Sequence, residues 1–172
     1  DRICHAGKSG FIHSMIISAF TDDNRLGVES SMETKVYMPT PTNIRHCAAL
    51  LKRGDIVAFP TETVYGLGAD ARNETAVRKI YEAKGRPADN PLIVHVADAA
   101  QIKEIAADIP AVAVKLTESF SPGPLTVVYR KKSIIPDIVT GGLQTVGIRI
   151  PAHPVALDLL RDAGVPVCAP SA

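Results

Sequence analysis

From Met32 onward, short β-branched runs alternate with helical patterns of about ten residues, and that alternation most tightly constrains the fold. "NIRHCAALLKRG" places Ile44, Cys47, Ala48 and Leu51 on one helical face, with Asn43 as the expected N-cap and Gly54 as the stop. "DIVAFP", residues 55–60, reads as a buried strand ending at proline. "NETAVRKIYEAKG" reads as a helix capped by Asn73, with Val77, Ile80 and Tyr81 inward and Gly85 at its end. "PLIVHV" is a strand, "DAAQIKEIA" a short helix capped by Asp98, and "AVAVKLTESF" another helix. "PLTVVYR" (124–130) and "TVGIRI" (145–150) are strands separated by a loop containing "TGG". "PVALDLLRDAG" is a helix, and "VPVCAPSA" opens a last strand. The pattern predicts an α/β sandwich with a substantially parallel or mixed sheet.

The 172 residues, 46% hydrophobic and 22% charged, fit one globular domain. A formal net charge of +1 argues against a general nucleic-acid coat, so any affinity for anions has to come from local placement of charge. No apolar run approaches the roughly 20 residues of a membrane span. Cys4, Cys47 and Cys168 have no metal-ligand spacing; they read as reduced, with Cys47 and Cys168 as small buried hydrophobes, which points to a cytoplasmic setting. Residues 1–31 read as an extension outside the core, and "METKVYMP" at Met32 reads as the start of a domain covering 32–172. "GKS" at 7–9 lacks the first glycine of a phosphate loop. The chain stops at Ala172 in a strand-to-loop passage and reads as C-terminally incomplete.

Polar residues gather at strand ends, where open α/β sheets bind ligands. In "FPTETVYGLGAD", Thr61, Glu62 and Thr63 precede what reads as a glycine-spaced turn at Gly66 and Gly68. Those hydroxyls either hold a small polar ligand or satisfy their own loop. "YEAKGRPADNPLIVHV" sets Lys84, Arg86, Asn90 and His95 around two prolines that stiffen the connection. Arginine matches phosphate oxygens bidentately and lysine serves as a mobile charge. His95 interrupts an apolar strand, as either a core residue or a site residue. Arg149 alternates with Ile148 and Ile150, so it needs an anionic partner, either a protein carboxylate or a ligand carboxylate. No GxSxG, HExxH or GxGxxG is present, and nothing indicates covalent catalysis.

Together, "FPTETVYGLGADA", "KIYEAKGRPADNPLIVHVAD", "SPGPLTVV", "TGGLQTVGIRIPAHPVAL" and "VPVCAPSA" resemble the Sua5/YrdC/TsaC family, the threonylcarbamoyl-AMP synthases. The resemblance runs from about residue 43 to the C-terminus, with order and spacing kept. It implies a twisted α/β sheet with a large concave, positively lined cavity. It also implies a nucleotidyltransferase forming L-threonylcarbamoyladenylate and pyrophosphate from L-threonine, bicarbonate and ATP. The product would pass to a Kae1/TsaD-type transferase for t6A modification of tRNA. Position by position, Thr63, His95, Arg149 and the backbone of Ala169 would meet threonine. Lys84, Arg86, Asn90, Thr145 and Ser171 would meet ATP, with Lys84 and Arg86 as the catalytic cations. Mg²⁺ would arrive on the triphosphate, since no carboxylate cluster offers a dedicated metal site. The family pattern continues Ser-Ala-Asn where this chain ends at Ser171-Ala172. Two other readings use the same fold: a module binding double-stranded RNA or tRNA weakly, and a HypF-like carbamoyladenylate-forming domain.

Overall fold

The structure, a computed structural model, describes residues 15–19, 33–85 and 87–172. The calls on Cys4, "GKS" at 7–9, Met32 and Arg86 lie outside those residues. Proline and short polar side chains set the helix starts. Helix α1 (Pro41–Lys52) begins at a proline and is capped by Thr40, whose Oγ1 accepts from the Asn43 N–H at 3.3 Å. The expected cap at Asn43 is therefore displaced, because proline at the first helical position fixes the start three residues earlier. Asn43 instead donates its side-chain amide to the Met38 carbonyl at 2.9 Å. Asn73 caps α2 (Glu74–Lys84), which ends at Gly85 in the left-handed conformation (φ 56°). Asp98 caps α3 (Ala99–Ile105), with α4 (Ala111–Phe120) following. A one-turn helix, α5 (Asp137–Thr140), lies in what read as a loop, and α6 (Pro154–Ala163) starts at a proline.

The strands are β1 (Met15–Ala19), β2 (Glu33–Tyr37), β3 (Ile56–Phe59), β4 (Gly66–Asp70), β5 (Ile93–His95), β6 (Val127–Arg130), β7 (Thr145–Arg149) and β8 (Val167–Ala169). They form one mixed sheet in the order β2-β1-β3-β4-β8-β5-β7-β6. Among the described residues only β5 and β7 pair in parallel; the remaining ladders are antiparallel. Residues 15–19 belong to the stretch expected as an extension, yet they pair with β2 on one side and β3 on the other, inside the sheet.

Alternation along each strand separates two faces. On one face Ile56, Ala58, Leu67, Ala69, Val94, Val146, Ile148 and Cys168 pack under Val77 and Ile80 of α2, Ile102 and Ile105 of α3, Ala113 of α4 and Val139 of α5. On the other face Val57, Phe59, Val167 and Ala169 pack under Cys47 and Leu51 of α1 and Ala156, Leu159 and Leu160 of α6. Cys47 and Cys168 are free thiols, one in each layer. Burial pushes their pKa values up, to about 11 and about 12.

The α1–α6 layer stops short. Beyond β8 the same face carries Ile93, Gly147, Thr145 and Val128, where Ile93 is 36% and Val128 65% exposed. Among the described residues no helix covers the β5–β7–β6 part of this face, and β5 and β7 form its floor.

Candidate functional site

The floor takes its layout from strand pairing. Parallel pairing sets His95 beside Arg149 and Ile93 beside Gly147, while antiparallel pairing sets Val167 and Ala169 beside His95 and Ile93. Residues paired in this way share a face, so His95 and Arg149 lie on the same face as Ala169, at the margin of the α1–α6 layer that buries Ala169. Thr145 opens β7 at the opposite end of the strand from Arg149, about 13 Å away at the usual rise per residue. Ser171 continues past β8 and bridges Gly66.

Arg149 is the most constrained polar group here, its side chain 10% exposed. Its Nη2 pairs with Glu62 Oε1 at 2.8 Å and donates to Thr63 Oγ1 at 3.2 Å. Its Nε donates to the Gly123 carbonyl at 3.2 Å. Gly123 is held in turn by its N–H to the Ile150 carbonyl at 2.8 Å, and a Cβ there would stand 2.5 Å from the Phe120 carbonyl. The anionic partner that the sequence demanded is therefore, in this structure, the protein carboxylate Glu62. Burial alone would raise the Glu62 carboxyl. The Arg149 hydrogen bond and charge, with backbone N–H groups of Glu62 and Ala152, outweigh that and hold it below the usual range.

The 61–65 loop bears out the self-satisfying reading of the Thr61 hydroxyl, while Thr63 turns to Arg149. Thr61 Oγ1 accepts from the N–H groups of Thr63 and Val64 and donates to the Val64 carbonyl, closing its own turn. Thr63 lies 3.1 Å from Thr61 and points to Arg149. Gly66 and Gly68, expected in a turn, instead lie in the buried strand β4. A Cβ on Gly68 would stand 2.6 Å from Val167 Cγ1 and 2.7 Å from Phe59 Cε1, so close packing, not turning, requires the glycine.

His95 is 4% exposed and meets the Phe59 ring edge-on, with centroids 5.8 Å apart. Burial, and after it the Arg149 charge, push its pKa down to about 4, so it is a neutral imidazole near pH 7. Its Nδ1 is buried with no hydrogen-bond partner among the described residues.

Lys84 and Asn90 are exposed on the connection that enters β5 at its Ile93 end, and neither side chain is hydrogen-bonded to the Arg149 cluster. Tyr81 fixes that connection through its hydroxyl, which lies 3.1 Å from the Asn90 carbonyl and 2.9 Å from that of Ile138. Thr145 and Ser171 are exposed. The structure thus joins Thr63 and Arg149, with His95 beside Arg149 on the neighbouring strand, places Ala169 one row away beside Ile93, and leaves Thr145 and Ser171 toward the other end of β7. Glu62 and the Gly123 carbonyl were missed in the sequence; the demand of Arg149 for a counter-charge was the signal for Glu62. Among the described residues no group of three or more His, Cys, Asp or Glu is placed to hold a metal, and no helix is long and apolar enough to cross a membrane. A separate recess of about 200 Å³, between Pro39, Pro41 and Ile44 and Asp158, Arg161 and Asp162, contains none of these groups.

Comparison with known proteins adds three kinds of likeness. The family model for Sua5, YciO and YrdC, described as "Telomere recombination", matches residues 49–172. The threonylcarbamoyl-AMP synthase of Pyrococcus abyssi is 54% identical over 129 residues, and that of Bacillus subtilis 55% identical over 130. Each alignment covers 75% of this chain and 38% of the relative, so the chain spans about two-fifths of their length. The crystal structure of P. abyssi Sua5 complexed with L-threonine superposes with a TM-score of 0.75 at 52% identity, covering 77% of this chain and 39% of that one.

Proposed function

Because the chain belongs to the Sua5/YciO/YrdC family, we propose that it is the catalytic domain of an L-threonylcarbamoyladenylate synthase, a nucleotidyltransferase using L-threonine, bicarbonate and ATP. The observation that carries this reading is the convergence of Thr63, His95 and Arg149 from three separate segments at the margin of the α1–α6 layer. Relatives bearing that activity by name, and one solved with L-threonine, support it.

In this reading the threonine carboxylate meets Arg149, whose guanidinium is already oriented by Gly123 and Thr63. The partnerless His95 Nδ1 meets the amino acid from the floor, where burial makes a hydrogen bond valuable. Ala169 borders threonine with its backbone. The threonine ammonium gives a proton to bicarbonate, which leaves as carbon dioxide and water; the freed amine attacks that carbon dioxide, losing its second proton to solvent, and the carbamate oxygen then displaces pyrophosphate from the α-phosphorus of ATP. Such chemistry asks mainly for alignment and charge neutralisation. Thr145, Ser171 and Asn90 position the nucleotide, while Lys84 and Arg86 neutralise its phosphates. Mg²⁺ comes as part of the MgATP substrate. The adenylate then passes to a Kae1/TsaD-type transferase for t6A modification of tRNA, a sequence that takes place in the cytoplasm.

The test is pyrophosphate release from MgATP and bicarbonate by the full chain. Release that depends on L-threonine and stops on its omission is the expected result; threonine-independent release, or none, overturns the reading.

A further inference from the structure

We propose that Glu62 accepts the α-ammonium group of the amino-acid substrate, so that Arg149 and Glu62 read the two ends of a zwitterion together; this rests on the function proposed above. An α-amino acid carries its opposite charges on one carbon, side by side. The Glu62–Arg149 pair presents the complementary arrangement, with Oε1 and Nη2 2.8 Å apart and the Thr63 hydroxyl 3.2 Å from the same nitrogen. A zwitterion laid antiparallel on that pair closes a ring of four charges, each flanked by opposite sign.

An anion without the ammonium would crowd two carboxylates around one guanidinium, which like-charge repulsion opposes. The other groups at hand cannot take the ammonium's charge. His95 is neutral, and Gly123 offers only a carbonyl dipole. Among the described residues, Glu62 is the one carboxylate in contact with Arg149. Because Arg149 keeps Glu62 ionised, it is an acceptor for the ammonium and a poor base for its proton. At 22% side-chain exposure it is partly desolvated yet open to a ligand, where a charge-assisted bond exceeds its strength in water. The pair therefore selects α-amino acids against hydroxy acids of the same shape.

Calorimetric titration of the full chain with L-threonine and with 3-hydroxybutanoate, the same acid without the amine, tests this. The wild type is expected to bind threonine at least about tenfold more tightly. Glu62→Gln is expected to weaken threonine by about tenfold or more and to leave 3-hydroxybutanoate unchanged or tighter. Equal weakening of both ligands would show that Glu62 merely holds Arg149, and unchanged threonine binding would show that it does nothing here; either overturns the proposal. The wild-type selectivity needs no variant, and equal affinity for the two acids also overturns it. Wild-type protein that binds no threonine at all sinks the proposed function itself, a result distinct from these.

Discussion

A guanidinium flanked along its strand by isoleucines must be neutralised where it lies, and Arg149 takes its counter-charge from Glu62 and its aim from Gly123 and Thr63. On the proposed function, Arg149→Ala removes the anchor for the threonine carboxylate and leaves Glu62 without its ion-pair partner. Threonine affinity is expected to fall by about a hundredfold in calorimetry, while ATP affinity stays within about threefold. His95 makes a second prediction. Its pKa drops from the ordinary 6.5 to about 4, so between those values the unfolded chain binds more protons than the folded one. Stability is therefore expected to decline as pH falls from about 6.5 toward about 4, by roughly 3 kcal/mol in all. Urea unfolding near pH 7 and near pH 5 measures that slope, and His95→Asn should flatten it. Glu62 acts in the same sense, its depressed pKa favouring the fold above the carboxylate range and losing that contribution on acidification. The type and spacing of Thr63, His95 and Arg149 were readable from the sequence. Their meeting was expected only from the family resemblance and not from the residues themselves, because it depends on β5 pairing with β7 across a long stretch of intervening chain.

Elements whose ends carry their own chemistry were the readable ones. Asn73 and Asp98 bond back to the first turns of α2 and α3, and Gly85 stops α2 where only a left-handed residue fits easily. Strand β4 lacked any such mark: "GLGAD" carries two glycines, which read as a turn until the neighbours that require them are known. Gly68→Ala would drive a methyl into Val167 and the Phe59 ring, both at the centre of the α1–α6 layer. A loss of about 1–3 kcal/mol, seen as a drop of several degrees in thermal unfolding, is expected. Strand β1 was hidden for a different reason, since its place is fixed by backbone ladders to β2 and β3 rather than by a local signal.

At the scale of the whole molecule, among the described residues one sheet face is covered by α2 to α5 and the other in part by α1 and α6. Hydrogen exchange is expected to be slowest in β8, whose residues are buried and which lies between β4 and β5, and fastest at the sheet edges β2 and β6. Threonine with MgATP should slow exchange in the 61–65 loop and in β7 while leaving α1 and α6 unchanged. Equal slowing in α1 and α6 would place the ligand elsewhere. The alternation of strands and helices revealed the layers; the partial cover was invisible in it, because it depends on where α6 lies and not on whether it forms.

The β5–β7 ladder has a further consequence. Were β7 to shift by a single residue, Ile148 would look into the hollow and Arg149 would point into hydrocarbon beneath α2 and α5. Misassembly and loss of the cluster are thus the same event in this polypeptide: a chain that zips wrongly here parts Arg149 from Glu62 and Thr63 and buries its charge unpaired, so correct pairing and an intact cluster come together.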